Sequence, residues 1–168
     1  MGKGASVNFK ELQKFRDEIE KNLSGAELER FIESCSKELA ARLLTKVIKR
    51  TPVGEYPMET GKKGGTLRRG WTGEKSQGAT EYANGLKVTR SGGGAYVIEI
   101  INPVEYASYV EYGHRQTPGR FVPAIGKRLV QGWVEGKFML TISEDEIRND
   151  APRVLQNKLN KKLKEIFK

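Results

Sequence analysis

The feature of this sequence that most constrains its fold is a long amphipathic segment that stops at a proline. Ser24-Gly-Ala-Glu27 has the form of a capping box, in which the serine and glutamate side chains satisfy backbone N–H groups at a helix start. Thr51-Pro52 ends the segment, because the residue before a proline avoids the helical region. We expect a core helix packed on a sheet, with the single cysteine, Cys35, buried in it. The apolar residues with helical spacing are Leu28, Phe31, Ile32, Cys35, Leu39, Leu43, Val47 and Ile48.

Helices are also predicted at both ends of the chain. Asn8 can cap a first helix that runs to Leu23, after a flexible arm over residues 1–7. Near the C-terminus, Ser143-Glu-Asp-Glu146 is a second capping box, and Pro152 limits or kinks the helix that it starts. The apolar stripes are Phe9, Leu12, Phe15, Ile19 and Leu23 in the first helix, and Val154, Leu155, Leu159, Leu163, Ile166 and Phe167 in the last.

The middle of the chain predicts a small, mostly antiparallel sheet. Residues 85–90 and 95–101 have strand-like patterns on either side of the glycine-rich turn 91–94, which together indicate a hairpin. The stretch 97–101 is apolar on nearly both faces, which is typical of a central strand covered by helices on one side and by another subunit or strand on the other.

The residues before this hairpin are less regular. We expect a long loop over residues 53–65, a short strand or a turn entering one over 66–72, and a polar loop over 74–84. In the 66–72 segment, Leu67 and Trp71 would point inward while Arg68 and Arg69 face solvent or a partner.

An aromatic turn and a basic loop follow the hairpin. Tyr106, Tyr109 and Tyr112 recur every three residues, which suits one face of a short helix or 3₁₀ turn. Gly113 breaks this turn and begins a second long loop, residues 113–136. If residues 129–134 form a returning strand, this loop becomes a projecting hairpin.

Composition bounds the class of protein. The 168 residues predict a single α+β domain over 1–168: two N-terminal helices, a small sheet with a long projecting loop, and a C-terminal helix. The chain has no apolar run long enough to span a bilayer, and we expect no membrane partner. The net charge of +9 makes nucleic acid or another acidic surface a plausible partner. The excess positive charge lies in residues 61–72 and 153–168.

Catalytic and cofactor signals are weak. One histidine and one cysteine give no metal cluster of the common kind, so we expect no cofactor and no enzymatic activity. Glu111 and His114 could form an acid–base pair, but Glu105 and Glu111 could equally form ion pairs between subunits with Arg115, Arg120 or Arg128. The alternative left open is a small basic nucleic-acid-binding protein or ribonuclease. The ribonuclease would group His114 with lysine or arginine and an acid around a groove.

Two short motifs carry a resemblance. A helix end followed by Thr51-Pro-Val53 and Gly65-Thr-Leu-Arg-Arg69 is one. Tyr106-Ala-Ser-Tyr-Val-Glu-Tyr-Gly113, followed by a basic loop and Pro123-Ala124, is the other. Together with the order of the predicted elements, they make the chain similar to the tail-completion, or neck, proteins of long-tailed bacteriophages and prophages. The segment between Gly113 and Ser143 is longer than the family's pattern.

The resemblance implies a structural virion protein that is assembled in the bacterial host cytoplasm. It implies a ring of six copies at the neck, between the head connector and the tail tube or terminator, with double-stranded DNA passing through without sequence-specific contacts. The implied subunit contacts are Tyr106, Tyr109, Glu111, Tyr112, His114, Arg115 and Arg120. The implied lumen residues are Lys62, Lys63, Arg68 and Arg69.

Overall fold

The fold is α+β and is built on two long helices. The structure, a computed structural model, describes residues 25–73, 77–91 and 96–167. Three predicted features lie outside these ranges: the flexible N-terminal segment over residues 1–7, the helix from Asn8 to Leu23, and Ser24 of the first capping box. The helices are α1 (Gly25–Arg50), α2 (Thr66–Gly70), α3 (Ala79–Gly85), α4 (Ala107–Tyr112) and α5 (Met139–Ile166).

Six short strands form three antiparallel pairs in the described residues. They are β1 (Val88–Arg90), β2 (Tyr96–Ile98), β3 (Gly113–Arg115), β4 (Phe121–Val122), β5 (Lys127–Arg128) and β6 (Trp133–Glu135). β1 pairs with β2, which confirms the strand pairing of the predicted hairpin, although residues 92–95 of that hairpin lie outside the described ranges. β3 pairs with β6, and β4 pairs with β5. Two 3₁₀ turns, Met58–Thr60 and Pro123–Ile125, complete the assignment.

The core lies where α1 meets α2, α3 and the start of α5. Its buried residues are Ala40, Ala41, Leu44, Val47, Leu67, Trp71, Ala83 and Met139. Ile98 and Ile100 pack against this cluster from the hairpin, whereas Val97 and Ile101 are exposed. The prediction of a central strand was wrong for the described residues, since β2 pairs with β1 alone there. That the exposed face of β2 is covered by another subunit stays a prediction. Cys35 is buried as predicted, and burial raises the pKa of its thiol.

Charged side chains join the two long helices along one edge. Glu146 of α5 accepts from Lys46 at 2.9 Å and from Arg50 at 2.8 Å, and the hydrogen bond from Lys46 is the main cause that lowers the pKa of Glu146. Further along, Lys158 bonds to Glu38 at 3.0 Å and lowers the pKa of that carboxyl. These pairs align α5 on α1 over much of their length.

A second junction, at the end of α1, fixes the position of α2. The Trp71 indole donates from Nε1 to the Thr51 hydroxyl at 2.8 Å, and the same hydroxyl donates to the Val47 carbonyl at 2.6 Å. Arg68 donates from Nε and Nη2 to the Thr51 carbonyl at 3.1 and 2.7 Å. That carbonyl follows the last turn of α1, where free carbonyl groups attract cations. Thr51, Arg68 and Trp71 are therefore joined by hydrogen bonds at the end of α1. We call this group of three residues the Thr51 junction.

Two predicted segments differ from the structure. Residues 66–70 form a helix rather than a strand, since Leu67 and Trp71 are buried beside Thr51. The segment 74–84 was predicted to be a loop, yet α3 occupies Ala79–Gly85 and buries Ala83 in the core. Neither short helix has a strong intrinsic signal, and tertiary contact decides their conformation.

The last helix begins earlier than the capping box predicts. α5 starts at Met139, and Ser143 lies inside it, donating to the Met139 carbonyl at 2.6 Å and accepting from Arg50 at 2.6 Å. The helix also continues through Pro152 instead of stopping there. Val154, the second residue after the proline, is buried, so packing on α1 offsets the backbone hydrogen bond that proline cannot make.

Candidate subunit interface

Three exposed tyrosines line one face of α4. The predicted short helix is confirmed: Tyr106 occupies the N-cap position, and Tyr109 and Tyr112 follow at helical spacing. Their exposed fractions are 43% for Tyr106, 58% for Tyr109 and 61% for Tyr112. On the opposite side, Ala107 and Val110 pack against the core. A contiguous aromatic surface of this kind is typical of a protein–protein contact.

Glu111 lies between these tyrosines but points inward. It is 5% exposed, and its Oε2 accepts from the Leu140 N–H at 2.9 Å. Its Oε1 accepts from the Thr141 N–H at 2.9 Å and from the Thr141 hydroxyl at 2.8 Å. These N–H groups belong to the first turn of α5, where the helix dipole also favours a negative charge. Glu111 therefore caps α5 from another element, which corrects the expectation that it is an exposed contact residue or the acid partner of His114.

The backbone after Glu111 is held just as closely. The Lys137 N–H donates to the Val110 carbonyl at 2.8 Å, and the Phe138 N–H donates to the Glu111 carbonyl at 3.0 Å. Gly113 has φ of 84°, and a Cβ there would meet the Val134 carbonyl oxygen at 2.5 Å. Gly136 lies across from it, and a Cβ there would meet the Glu111 carbonyl oxygen at 2.3 Å. Only glycine fits these two crossing backbones.

The segment 113–136, which we call the arm, is an extended hairpin. Its base is the β3–β6 pair, in which His114 faces Val134, and its outer part is the β4–β5 pair. Between them, the Gln116 N–H donates to the Gly132 carbonyl at 2.9 Å, and Gly119 and Leu129 are joined by a backbone bond of 2.8 Å. The prediction of a projecting hairpin is confirmed, with the returning strand at Trp133–Glu135 rather than at 129–134.

The arm is basic and carries exposed apolar groups. Arg115, Arg120, Lys127 and Arg128 are all exposed, and residues 114–134 contain no acid. Val130 is 85% exposed, and Phe121 and Trp133 are each half exposed. The Arg128 guanidinium lies 6.0 Å from the centre of the Phe121 ring and donates to the Gly119 carbonyl at 2.7 Å.

His114 connects the arm to the tyrosine surface. Its ring centre is 5.8 Å from that of Tyr109, and its Nε2 is 3.3 Å from the Gln116 side-chain nitrogen. Its Nδ1 is buried and has no hydrogen-bond partner among the described residues. No group of three or more histidine, cysteine, aspartate or glutamate side chains suited to a metal ion occurs in residues 25–73, 77–91 and 96–167.

The structure adds a surface that sequence reasoning missed. A hollow of about 190 Å³ lies between the 52–56 segment and α4, lined among others by Val53, Tyr56, Tyr106 and Val110. Val53 and Tyr56 are partly exposed, and nearby Met58 is 98% exposed. The available signal was three large apolar residues in a segment rich in glycine and proline, where a solvated loop carries few.

The comparisons with known proteins agree with the motifs. A family model described as "Bacteriophage HK97-gp10, putative tail-component" matches residues 13–113. The chain belongs to this HK97-gp10-like family of phage tail components. No curated protein and no solved structure matches the chain.

The matched residues of this HK97-gp10-like protein contain the first motif and the Tyr106–Gly113 part of the second, and they end where the arm begins. The family assignment places the protein in the tail of a phage particle. None of the described helices is both long and apolar enough to cross a membrane.

The four basic residues suggested for the lumen differ in their exposure to solvent. Arg68 is tied to the Thr51 carbonyl and is half-buried, so its guanidinium serves the fold rather than an exposed face. Arg69 is exposed, with weak bonds to the Gly64 carbonyl at 3.3 Å and to the Thr66 hydroxyl at 3.4 Å. Lys62 and Lys63 are exposed on the preceding loop.

Proposed function

We propose that this HK97-gp10-like protein forms a closed ring at the neck of the phage particle, where it completes the tail and joins it to the head connector. The observation that carries the proposal is the exposed tyrosine face at the fixed base of a projecting arm. Bulky aromatic side chains are enriched in subunit contacts, and a rigid base loses little conformational entropy when the face is covered.

Ring symmetry requires that one patch of the subunit meets a different patch of its neighbour. The tyrosine face and the arm supply two such patches. Their proposed contact residues are Tyr106, Tyr109, Tyr112, His114, Arg115 and Arg120. Glu111 leaves this set because its carboxylate is engaged by α5. A ring of six copies is the expected size, and its neighbours would be the head connector and the tail tube or terminator.

Exposed basic residues suit a lumen through which double-stranded DNA passes. Lys62, Lys63 and Arg69 are the candidates, whereas Arg68 is held at the Thr51 junction. Cations on a lumen wall attract phosphate groups of any sequence, so the contact would be non-specific.

No specific observation favours the alternative of a nucleic-acid-binding protein or ribonuclease. The ribonuclease requires His114 beside a cation and an acid. The described partners of its ring are Tyr109 and Gln116.

Light scattering across a concentration series, followed by negative-stain imaging, tests the ring. The wild-type chain should form rings of about six subunits. Tyr109→Ser should stay monomeric because it removes the centre of the exposed face. Val97→Ser, which changes an exposed apolar residue on β2, should assemble like the wild type.

A wild-type chain that stays monomeric and binds or cleaves nucleic acid tightly at physiological salt would overturn the proposal. A monomer without such binding should instead assemble when added to tails that lack it, and failure to do so would also count against the ring.

A further inference from the structure

The outer arm has exposed cations and apolar groups within the part of the chain that the structure describes. Within the described residues, no ion pair engages Arg115, Arg120 or Lys127, and the hydrogen bonds of residues 116–132 stay within the arm. Strands rise by about 3.3 Å per residue, so the tip of such a hairpin lies roughly 30 Å from its base. The arm thus offers a basic, apolar surface well away from its own core.

The hollow beside α4 offers the opposite character. Its lining is apolar, aromatic or uncharged: Pro52, Val53, Gly54, Tyr56, Gly65, Thr66, Leu67, Tyr106 and Val110. Two exposed acids are direct sequence neighbours of lining residues, since Glu55 lies between Gly54 and Tyr56 and Glu105 immediately precedes Tyr106. Lys62 and Lys63 occur later in the same connection and do not line the hollow. Arg69 lies beside Gly65 and donates to the Gly64 carbonyl at 3.3 Å, so the acidic part of the rim is the side at Glu55 and Glu105.

We propose that the arm of one subunit docks on the hollow of the next copy of this chain. An apolar arm side chain, Phe121 or Val130, would fill the hollow, and Arg115 and Arg120 would face Glu55 and Glu105. This docking rests on the ring proposed above and identifies the two surfaces that meet between neighbouring subunits. Because the arm and the hollow are different patches, the contact repeats head to tail, and it gives the proposed ring when the rotation between neighbours closes. It also covers Tyr106, which lines the hollow, at the edge of the tyrosine face.

Charge reversal on each half tests the docking. The arm-reversed chain carries Arg115→Glu and Arg120→Glu, and the rim-reversed chain carries Glu55→Lys and Glu105→Lys. Each alone sets like charges against each other, so half-assembly should need at least about tenfold more protein than the wild type. All four positions are exposed, so each variant should melt like the wild type when monomeric.

Mixing the two chains is the decisive step. The acidic arm of one meets the basic rim of the other, and the unchanged arm of the second meets the unchanged rim of the first. At a concentration where neither chain alone forms rings, equimolar mixtures should therefore regain rings of alternating subunits in an even number. A matched control, Lys161→Glu with Lys164→Glu, makes the same charge change on α5 and should assemble normally.

Three results would overturn the docking. If either reversed chain assembles like the wild type, or if mixing does not restore rings, the ring stands but its halves are assigned wrongly. If the wild-type chain forms no ring, alone or on tails, the ring itself fails before any variant is compared.

Discussion

The Thr51 junction and α4 contain the two motifs of the chain, and they use their polar and aromatic groups differently. At the junction, the indole of Trp71 and the guanidinium of Arg68 both turn inward to Thr51. On α4, the carboxylate of Glu111 turns inward while the tyrosines beside it stay exposed. The type of a residue therefore does not show whether its side chain stabilises the fold or is available to a partner. The position of its hydrogen-bond partner shows this.

The two tryptophans give the largest test of this contrast. Trp71 is 3% exposed and hydrogen-bonded, whereas Trp133 is 50% exposed on the arm. Trp71→Ala should lower the free energy of unfolding by about 3–5 kcal/mol, because it leaves a cavity and removes the hydrogen bond that the Thr51 hydroxyl accepts. Trp133→Ala should lower it by no more than about 1 kcal/mol while weakening assembly. Urea unfolding of the monomer measures both values, and equal losses would contradict the division between core and arm.

The adjacent arginines Arg68 and Arg69 show the same contrast between a residue that stabilises the fold and one that is exposed. Arg68→Ala should lower the free energy of unfolding by about 1.5–3 kcal/mol, because two charge-assisted bonds to the Thr51 carbonyl are lost. Arg69→Ala should change it by less than about 0.5 kcal/mol, since that side chain is exposed. Urea unfolding at fixed ionic strength measures both. If Arg69→Ala proved the more harmful to stability, the assignment of Arg68 to the fold would be wrong.

Local patterns predicted the elements whose signals are local. The end of α1 at Thr51-Pro52, the β1–β2 hairpin and the short tyrosine helix follow from proline geometry, strand patterning and spacing. The hairpin form of the arm was predicted on the condition that residues 129–134 return as a strand, and the structure places that strand at Trp133–Glu135.

The errors occurred where distant residues decide the local structure. α5 begins at Met139 because Glu111 in α4, 29 residues before Leu140, supplies its cap. Likewise, α2 is helical because Thr51 binds Arg68 and Trp71. A single sequence carries no record of such pairings, so Ser143 looked like the helix start and Glu111 like a surface acid. Which residues of each motif are buried and which are exposed could be learned only from the three-dimensional structure.

The smallest effect is expected at Glu111, and it bears most directly on the second motif. Glu111→Gln keeps the size of the side chain but replaces one acceptor oxygen with an NH₂ group, so an N–H of the first turn of α5 loses its partner. The free energy of unfolding should fall by about 1–2 kcal/mol, as for the loss of a helix cap.

The control is Glu105→Gln, which changes the exposed glutamate just before Tyr106 and should lower the free energy of unfolding by less than about 0.5 kcal/mol. Because Glu111 also fixes the base of the arm, amide hydrogen exchange at Leu140 and Thr141 should speed up in Glu111→Gln and stay unchanged in Glu105→Gln. Equal exchange in the two variants would mean that the arm is anchored by its glycines and backbone bonds alone, and that the acid of the motif faces the neighbouring subunit after all.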